Sequence, residues 1–408
     1  MRGLKIDLEK DAAIDRFLRL TAIEGISGDE AAVAQAIRGE LDSAGIPGSW
    51  IAYDDAHQRS SVPGNVGNMI LRMPGNSELP TVMLSAHMDT VPICRGCAPR
   101  VEGNQVVSDA DTGLGGDDRA GCTVVLTAAL DRFAKGQEHG EDNLPPAVFA
   151  WFIQEEIGLF GARNLDASKL GKVDLAFNFD GGSIEKLTSG AIGGERMTIE
   201  ISGLAAHAGV APENGVSAIV IASKAIADLH DRGWLGKVDN EHGVGTANVG
   251  VINGGDATNV ITPSVSLRAE ARSHDAKMRT QIVDEIRRAF EEAAGQVKNV
   301  DGVAGKSDFE TRVDYESFCL PDDDPSIDAA KNAIASLPGG RSPFTQVADG
   351  GLDANWLFMH GVPAVTLGCG QMNIHTVDER LNIPDFLDAC HVAAMLVSGV
   401  SGDDGKMS

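Results

Sequence analysis

Apolar residues along this chain follow two rhythms, and the change from one to the other divides it. Ile14, Phe17, Leu18 and Leu20 fall on one side of a helix predicted over residues 8–20. Ser27-Gly28-Asp29-Glu30 has capping-box spacing and predicts a second helix through Val33, Ile37 and Leu41, stopped by Gly45. Alternation over 68–73 predicts a strand, a Pro74-Gly75 turn follows, and Thr81-Val82-Met83-Leu84 opens a buried strand running into His87. The glycine-rich stretch 113–121 leads into a long apolar helix over 122–133, and then a polar loop over 139–146. Two continuous apolar runs of strand length come next: 147–153, ending at Gln154-Glu155-Glu156, and 173–179, ending at Asp180-Gly181-Gly182. Three strands thus carry acidic or imidazole groups at their carboxyl ends. Separated by helical stretches, they predict parallel pairing with helices over the faces. In such a sheet ligands bind beyond the carboxyl ends of the strands.

After Gly182 the rhythm changes. Residues 197–201 alternate as a half-exposed strand does, a helix follows over Ala218, Ile219, Ala222, Ile226 and Leu229, and two strand-like runs cover 246–252 and 264–271. A second helix carries Met278, Ile282, Ile286 and Phe290 at spacings of four. This segment predicts an inserted α+β domain over 191–315, between catalytic-domain parts 1–190 and 316–408. Near Leu320-Pro321-Asp322 the chain returns to the first domain; 361–368 supplies its last strand, and a loop with Asn373-Ile374-His375-Thr376 follows. A C-terminal helix is predicted over 386–400, with a frayed tail beyond Ser401.

Length supports this division, since 408 residues exceed one ordinary domain. A 43% apolar and 23% charged composition is that of a globular chain with ample core. The net charge of −25 argues against nucleic acid or an anionic membrane surface as partner. Residues 1–20 mix charges at helical spacing without an apolar h-region, and no apolar run reaches membrane-spanning length. A cytoplasmic location is therefore expected, and six scattered cysteines agree with a reducing compartment. Cys94-Arg95-Gly96-Cys97 has redox or zinc-knuckle spacing but no second pair, so an incidental or structural role is expected.

The candidate chemistry gathers at the strand ends. His87 and Asp89 stand two residues apart where a strand becomes a loop, and a metal-bound imidazole commonly passes its other N–H to a carboxylate. Taken alone, the pair also reads as a solvated strand end, and Asp117-Asp118 as the acidic first turn of a helix. Glu155 and Glu156 are adjacent on an extended chain and point to opposite sides. Gly302-Val303-Ala304-Gly305-Lys306-Ser307 lacks the glycine a phosphate loop needs at position 300. Neither a Gly-x-Ser-x-Gly elbow nor a His-Glu-x-x-His helix is present.

His87-Met88-Asp89-Thr90-Val91, Gly116-Asp117-Asp118-Arg119-Ala120-Gly121, Glu155-Glu156-Ile157-Gly158, Asp180-Gly181-Gly182, His207-Ala208-Gly209 and Ile374-His375-Thr376 occur in that order. Together they resemble the M20 family of dinuclear zinc peptidases, in its peptidase T-like branch. The resemblance implies an α/β fold: a zinc-exopeptidase-like catalytic domain with a mostly parallel central sheet and flanking helices, plus a smaller inserted α+β lid or dimerisation domain. It implies two Zn²⁺ per chain, with Co²⁺ or Mn²⁺ as alternatives. Asp117 would bridge them, preceding a cis peptide, with His87 and Asp180 on one ion and Glu156 and His375 on the other. Glu155 would be the general base and Asp89 the carboxylate that orients His87. In the inserted domain, His207 would stabilise the oxyanion, supplied by the partner subunit in dimeric relatives. Asn259 and Arg272 would bind substrate, Arg272 gripping a free carboxylate.

The implied activity is removal of the N-terminal residue from tripeptides or similar short peptides, by a homodimer joined through the inserted domain. Its rivals are a dipeptidase or an N-acyl-amino-acid amidohydrolase of the same family and, remotely, a non-catalytic metal-stabilised binding protein. Arg119 stands where Lys is common in the family, and His207-Ala208-Gly209 where His-Pro-Gly is more frequent. The stretch 93–100, with its two cysteines, departs from the family near the substrate mouth.

Overall fold

A computed structural model describes residues 10–399, so the tail expected beyond Ser401 lies outside the described residues. The described chain forms two compact units, one of residues 10–190, 319–348 and 352–399, the other of Ala191–Phe318 with Asp349–Gly351.

The first unit is built on a nine-stranded mixed sheet. At its centre Ala147–Phe152, Val82–His87, Leu175–Phe179 and Ala364–Leu367 lie side by side and run parallel. Antiparallel strands flank this core: Met69–Met73 and Ile51–Tyr53 on one side, Lys186–Ala191 on the other. Val82–His87 and Ala147–Phe152 are buried at every position, which accounts for the unbroken apolar run of the second, while Ser85 within the first donates to Asn178 at 2.9 Å. Because the central strands are parallel, the ends that carry His87, Glu155-Glu156 and Asp180 share one edge.

Helix Gly116–His139 packs against Val82–His87 and Leu175–Phe179, and Lys10–Thr21 and Ile383–Ser398 pack on it in turn. Phe17 and Phe386 seal the contact between these last two, with ring centroids 5.5 Å apart. The capping box expected at Ser27 is not formed. Helix Ala31–Ser43 has Glu30 as its N-cap without a side-chain cap, while Ser27 Oγ donates to Asp89 Oδ2 at 2.6 Å. A four-stranded antiparallel sheet joins the hairpin Pro99–Glu102 and Gln105–Ser108 to Arg380–Asn382 and Gln371–Met372. His375 therefore sits in the loop between two paired strands.

The second unit is a five-stranded antiparallel sheet in the order Gly236–Asn240, Gly243–Asn253, Ser264–Ser273, Gly193–Ser202, Lys306–Tyr315. Helices Ala218–Asp231 and Ala276–Gln296 bury Ile221, Leu229, Ile282, Ile286 and Phe290 with Ile199, Ile201 and Leu267 of the sheet. The two edge strands, Gly236–Asn240 and Lys306–Tyr315, were not expected from the sequence. Both are largely exposed and carry charges where a central strand carries apolar residues. Among the described residues no helix is long and apolar enough to cross a membrane.

The helix behind the site approaches the sheet closely at Gly121, where an added Cβ would lie 1.9 Å from the carbonyl oxygen of Phe179. Gly121→Ala is expected to destabilise the first unit by about 3 kcal/mol, read as a fall in the urea midpoint; an unchanged midpoint would contradict this packing.

Candidate metal centre

His87, the last residue of its strand, is 1% exposed and turns its ring toward the sheet edge. Nδ1 lies 3.1 Å from the Asp89 carbonyl oxygen and 3.3 Å from Asp89 Oδ1, so it carries the donated proton. Nε2 then faces Asp117 Oδ1 at 3.1 Å. The other oxygen of Asp117 lies 3.2 Å from His375 Nε2, which is also 3.0 Å from Glu156 Oε2. One carboxylate thus stands between two imidazoles brought from chain positions far apart.

Asp118 is engaged differently. It accepts the His87 N–H at 3.1 Å, the Gly121 N–H at 2.9 Å and Gln371 Nε2 at 2.9 Å. Its oxygens are occupied by protein donors, whereas those of Asp117 face the histidines. The Asp117–Asp118 peptide is cis.

Asp89 is the hub of the centre. Fully buried, it holds His87 on one side and accepts the backbone N–H groups of Glu155 (2.9 Å) and Glu156 (3.2 Å) as well as Ser27 Oγ. Glu155 Oε2 lies 4.0 Å from His87 Nε2. His87, Asp117 and Glu156 bring one donor atom each within 4.8 Å of one another, as do His87, Asp118 and Asp180.

The electrostatics suit a cation. Burial raises the Glu155 carboxyl well above the usual range, opposed by His87 and reinforced by Asp180, Asp353 and Glu156. Burial and the charge of Asp117 push Asp180 up to about 7. Burial also raises Glu156, against the hydrogen bond from His375. Burial disfavours charge on His87, yet hydrogen bonds to Asp117 and Asp89 outweigh it and hold the ring well above its ordinary value. Hydrogen bonds to Asp117 and Glu156 raise His375 to about 10. An imidazole nitrogen 3 Å from a carboxylate oxygen needs a proton or a metal ion between them. The neighbouring guanidinium does not supply the missing charge, because Arg119 bonds to the carbonyls of Met88, Ile23 and Gly25. Imidazole and carboxylate donors on an acid-rich buried edge fit divalent ions of the zinc, cobalt or manganese kind.

His207, Asn259 and Arg272 belong to the second unit. The structure pairs the first two: His207 bridges to Val260, and the Ala208 N–H donates to the Asn259 carbonyl at 2.9 Å. Arg272 lies at the far end of strand Ser264–Ser273, 3.1 Å from Glu270. Several residues of the centre escaped sequence reading: Ser27, Glu30, Gln371 and Glu379. Ser27 and Glu30 read as helix-capping residues, and Glu379, four residues after His375, had only that proximity to mark it.

The chain matches the model of the M20 peptidase dimerisation domain over residues 190–298 and that of peptidase family M28 over 68–212. It is 32% identical over 386 residues to the Bacillus subtilis protein YqjE, covering 94% of this chain and 97% of that one. The crystal structure of aminopeptidase PepT from Bacillus cereus superposes with a TM-score of 0.81 at 30% identity, covering 96% of this chain and 98% of that one. A Staphylococcus aureus tripeptidase gives 0.82 at 29% identity, with the same coverage.

Behind Asp89, Glu30 is wholly buried, and burial together with the charge of Asp89 pushes its carboxyl up to about 7. Its proton is held more tightly folded than unfolded, so ionisation costs stability: nothing below pH 4.5, the full amount above about 7. Glu30→Gln is expected to gain on the parent as pH rises from 5 to 8, by about 2–3 kcal/mol. Urea unfolding across that range checks it, and a pH-independent difference would refute it.

Proposed function

This chain belongs to the M20 family of metallopeptidases, in its peptidase T-like exopeptidase branch, and we propose that it removes the N-terminal residue from tripeptides and similar short peptides with two bound zinc ions. The observation that carries this reading is the placing of Asp117 between His87 and His375, each within 3.2 Å. Asp117 would bridge the pair, His87 and Asp180 would complete one site, and Glu156 and His375 the other. Two such ions acidify a shared water and polarise the scissile carbonyl.

The chain's own residues supply the rest. Asp89 keeps the His87 Nδ1 proton in place, leaving Nε2 free for the metal side, and ties the backbone of Glu155 and Glu156 to the same point. Glu155 takes the proton of the attacking water on its carboxylate and returns it to the leaving amine. Burial raises the proton affinity of that carboxyl, which suits a group that must hold a proton between two steps. His207 would donate to the developing oxyanion. Its Nδ1 accepts the Gly209 N–H at 3.2 Å, so a neutral ring carries its proton on Nε2, available as a donor. Asn259 would bind the peptide beside it, and Arg272 would hold the peptide's carboxylate.

The inserted unit supports a homodimer on a simple count of length. Arg272 and the His207–Asn259 pair stand at opposite ends of Ser264–Ser273, roughly 25 Å apart at 3.3 Å per residue. An extended tripeptide spans only about 10 Å. With the side chains at full stretch one tripeptide would barely bridge that span within one inserted unit, so a site that takes Arg272 from one chain and His207 and Asn259 from its partner suits a short peptide better.

Glu155→Gln is expected to keep both metals and lose about 10²–10⁴-fold in kcat on Ala-Ala-Ala. A chelator should abolish the parent's activity, and added zinc, cobalt or manganese should restore it. Parent-like turnover by the variant, or hydrolysis indifferent to the chelator, would remove the mechanism. Faster cleavage of dipeptides or N-acyl amino acids than of tripeptides would reassign the substrate.

Shared sites also predict complementation. His207→Ala and Arg272→Ala homodimers should each be nearly inactive, while an equimolar mixture exchanged through unfolding should recover about a quarter of parental activity, because about half of the dimers are then heterodimers with one of their two sites intact. No recovery would place each site within a single chain.

A further inference from the structure

Glu379 is 2% exposed and lies four residues beyond His375, at the base of the same loop. Its carboxylate reaches across to the turn that carries Asp117. Oε2 accepts the Gly115 N–H at 2.7 Å and the Cys94 thiol at 3.6 Å, and Oε1 accepts the Asp117 N–H at 3.0 Å. The helix that begins there has no cap of its own, because its N-cap is Gly115. The His375 loop is internally tied: Thr376 Oγ1 donates to the Asn373 carbonyl at 2.7 Å, and the Glu379 N–H to the Thr376 carbonyl at 3.3 Å. Moving Glu379 therefore moves both the loop of His375 and the turn of Asp117.

From this we propose that Glu379 is a positioning residue for the metal centre, setting the distance between Asp117 and His375 by clamping the two segments that carry them. It touches neither ion nor substrate and acts through the backbone of Asp117. A carboxylate suits the task because it offers an acceptor to both N–H groups at once. Glutamine offers one oxygen and turns an NH₂ toward the other donor. The proposal rests on the two-metal reading above.

The test measures metal binding before activity. In the full-length protein, Glu379→Gln is expected to weaken Zn²⁺ or Co²⁺ affinity about 10–100-fold, the usual effect of losing a group that orients a ligand. Chelator competition reads this directly. The visible spectrum of the Co²⁺ form should change, and kcat should fall with KM unaltered. A helix cap and nothing more would lower the stability of metal-free and metal-loaded protein equally, leaving affinity and spectrum at parental values. That result overturns the proposal. Gly113→Ala provides the same readout should Glu379→Gln not accumulate as folded protein. A Cβ there would lie 2.9 Å from Cys94 Sγ and 3.1 Å from both Glu379 Oε2 and the Thr376 carbonyl, pressing the clamp apart. Parental affinity in Gly113→Ala counts against the clamp as well. Should the parent itself bind no metal, the two-metal reading falls and this inference with it; a metal-binding parent matched by its variants sinks the clamp alone.

Discussion

The carboxylate of Asp117, held between the imidazoles of His87 and His375, is the contact around which the rest of the first unit is arranged. Bringing it about requires three separate pieces of backbone. A buried parallel strand must end at His87, a glycine-bounded turn must lift Asp117 off the start of a helix, and a hairpin must present His375 from the opposite side. The hairpin meets that demand with left-handed backbone at Asn373 (φ 52°) and His375 (φ 62°), uncommon for residues with a side chain.

Around that contact, buried acids are arranged in two classes. Asp89 and Asp118 are saturated with protein donors and act as joints: Asp89 ties His87 to the Glu155-Glu156 corner, and Asp118 ties the helix start to the end of the His87 strand. Asp117 and Glu156 face the imidazoles, and Asp180 stands with His87 and Asp118, where burial and mutual repulsion leave a site short of positive charge. The same chemical group serves as mortar in one position and would serve as a cation's partner in another. What separates the two roles is whether backbone N–H groups point at it.

The second unit follows a different logic. Its sheet has one face covered by two helices, so its inner strands alternate apolar and polar residues and leave a solvated face. Such a unit can carry polar side chains at both ends of one strand without disturbing its core. His207 with Asn259, and Arg272, occupy those two ends.

Local pattern, by itself, determined much of this protein. The apolar runs at 82–84, 147–153 and 173–179, the helical spacings of the inserted segment and the acids at strand ends are all properties of neighbouring residues, and a reader of the chain sees them without coordinates. Six ordered motifs carried the resemblance to the M20 family. What stayed hidden depends on partners remote in sequence. Ser27 looks like a helix cap until Asp89, 62 residues away, takes its hydroxyl. Asp117 and Asp118 are equivalent as letters; the resemblance to the M20 family favours Asp117, and the direction of the surrounding N–H groups supplies the physical difference. Edge strands such as Lys306–Tyr315 bury so little that only Phe309, Val313 and Tyr315 interrupt a polar run. Glu379 is an ordinary acid until the Asp117 turn, some 260 positions earlier, is folded against it. Burial and periodicity are written locally, because one element's own residues create them. Hydrogen-bond partnership across distant loops exists only once the chain has closed on itself.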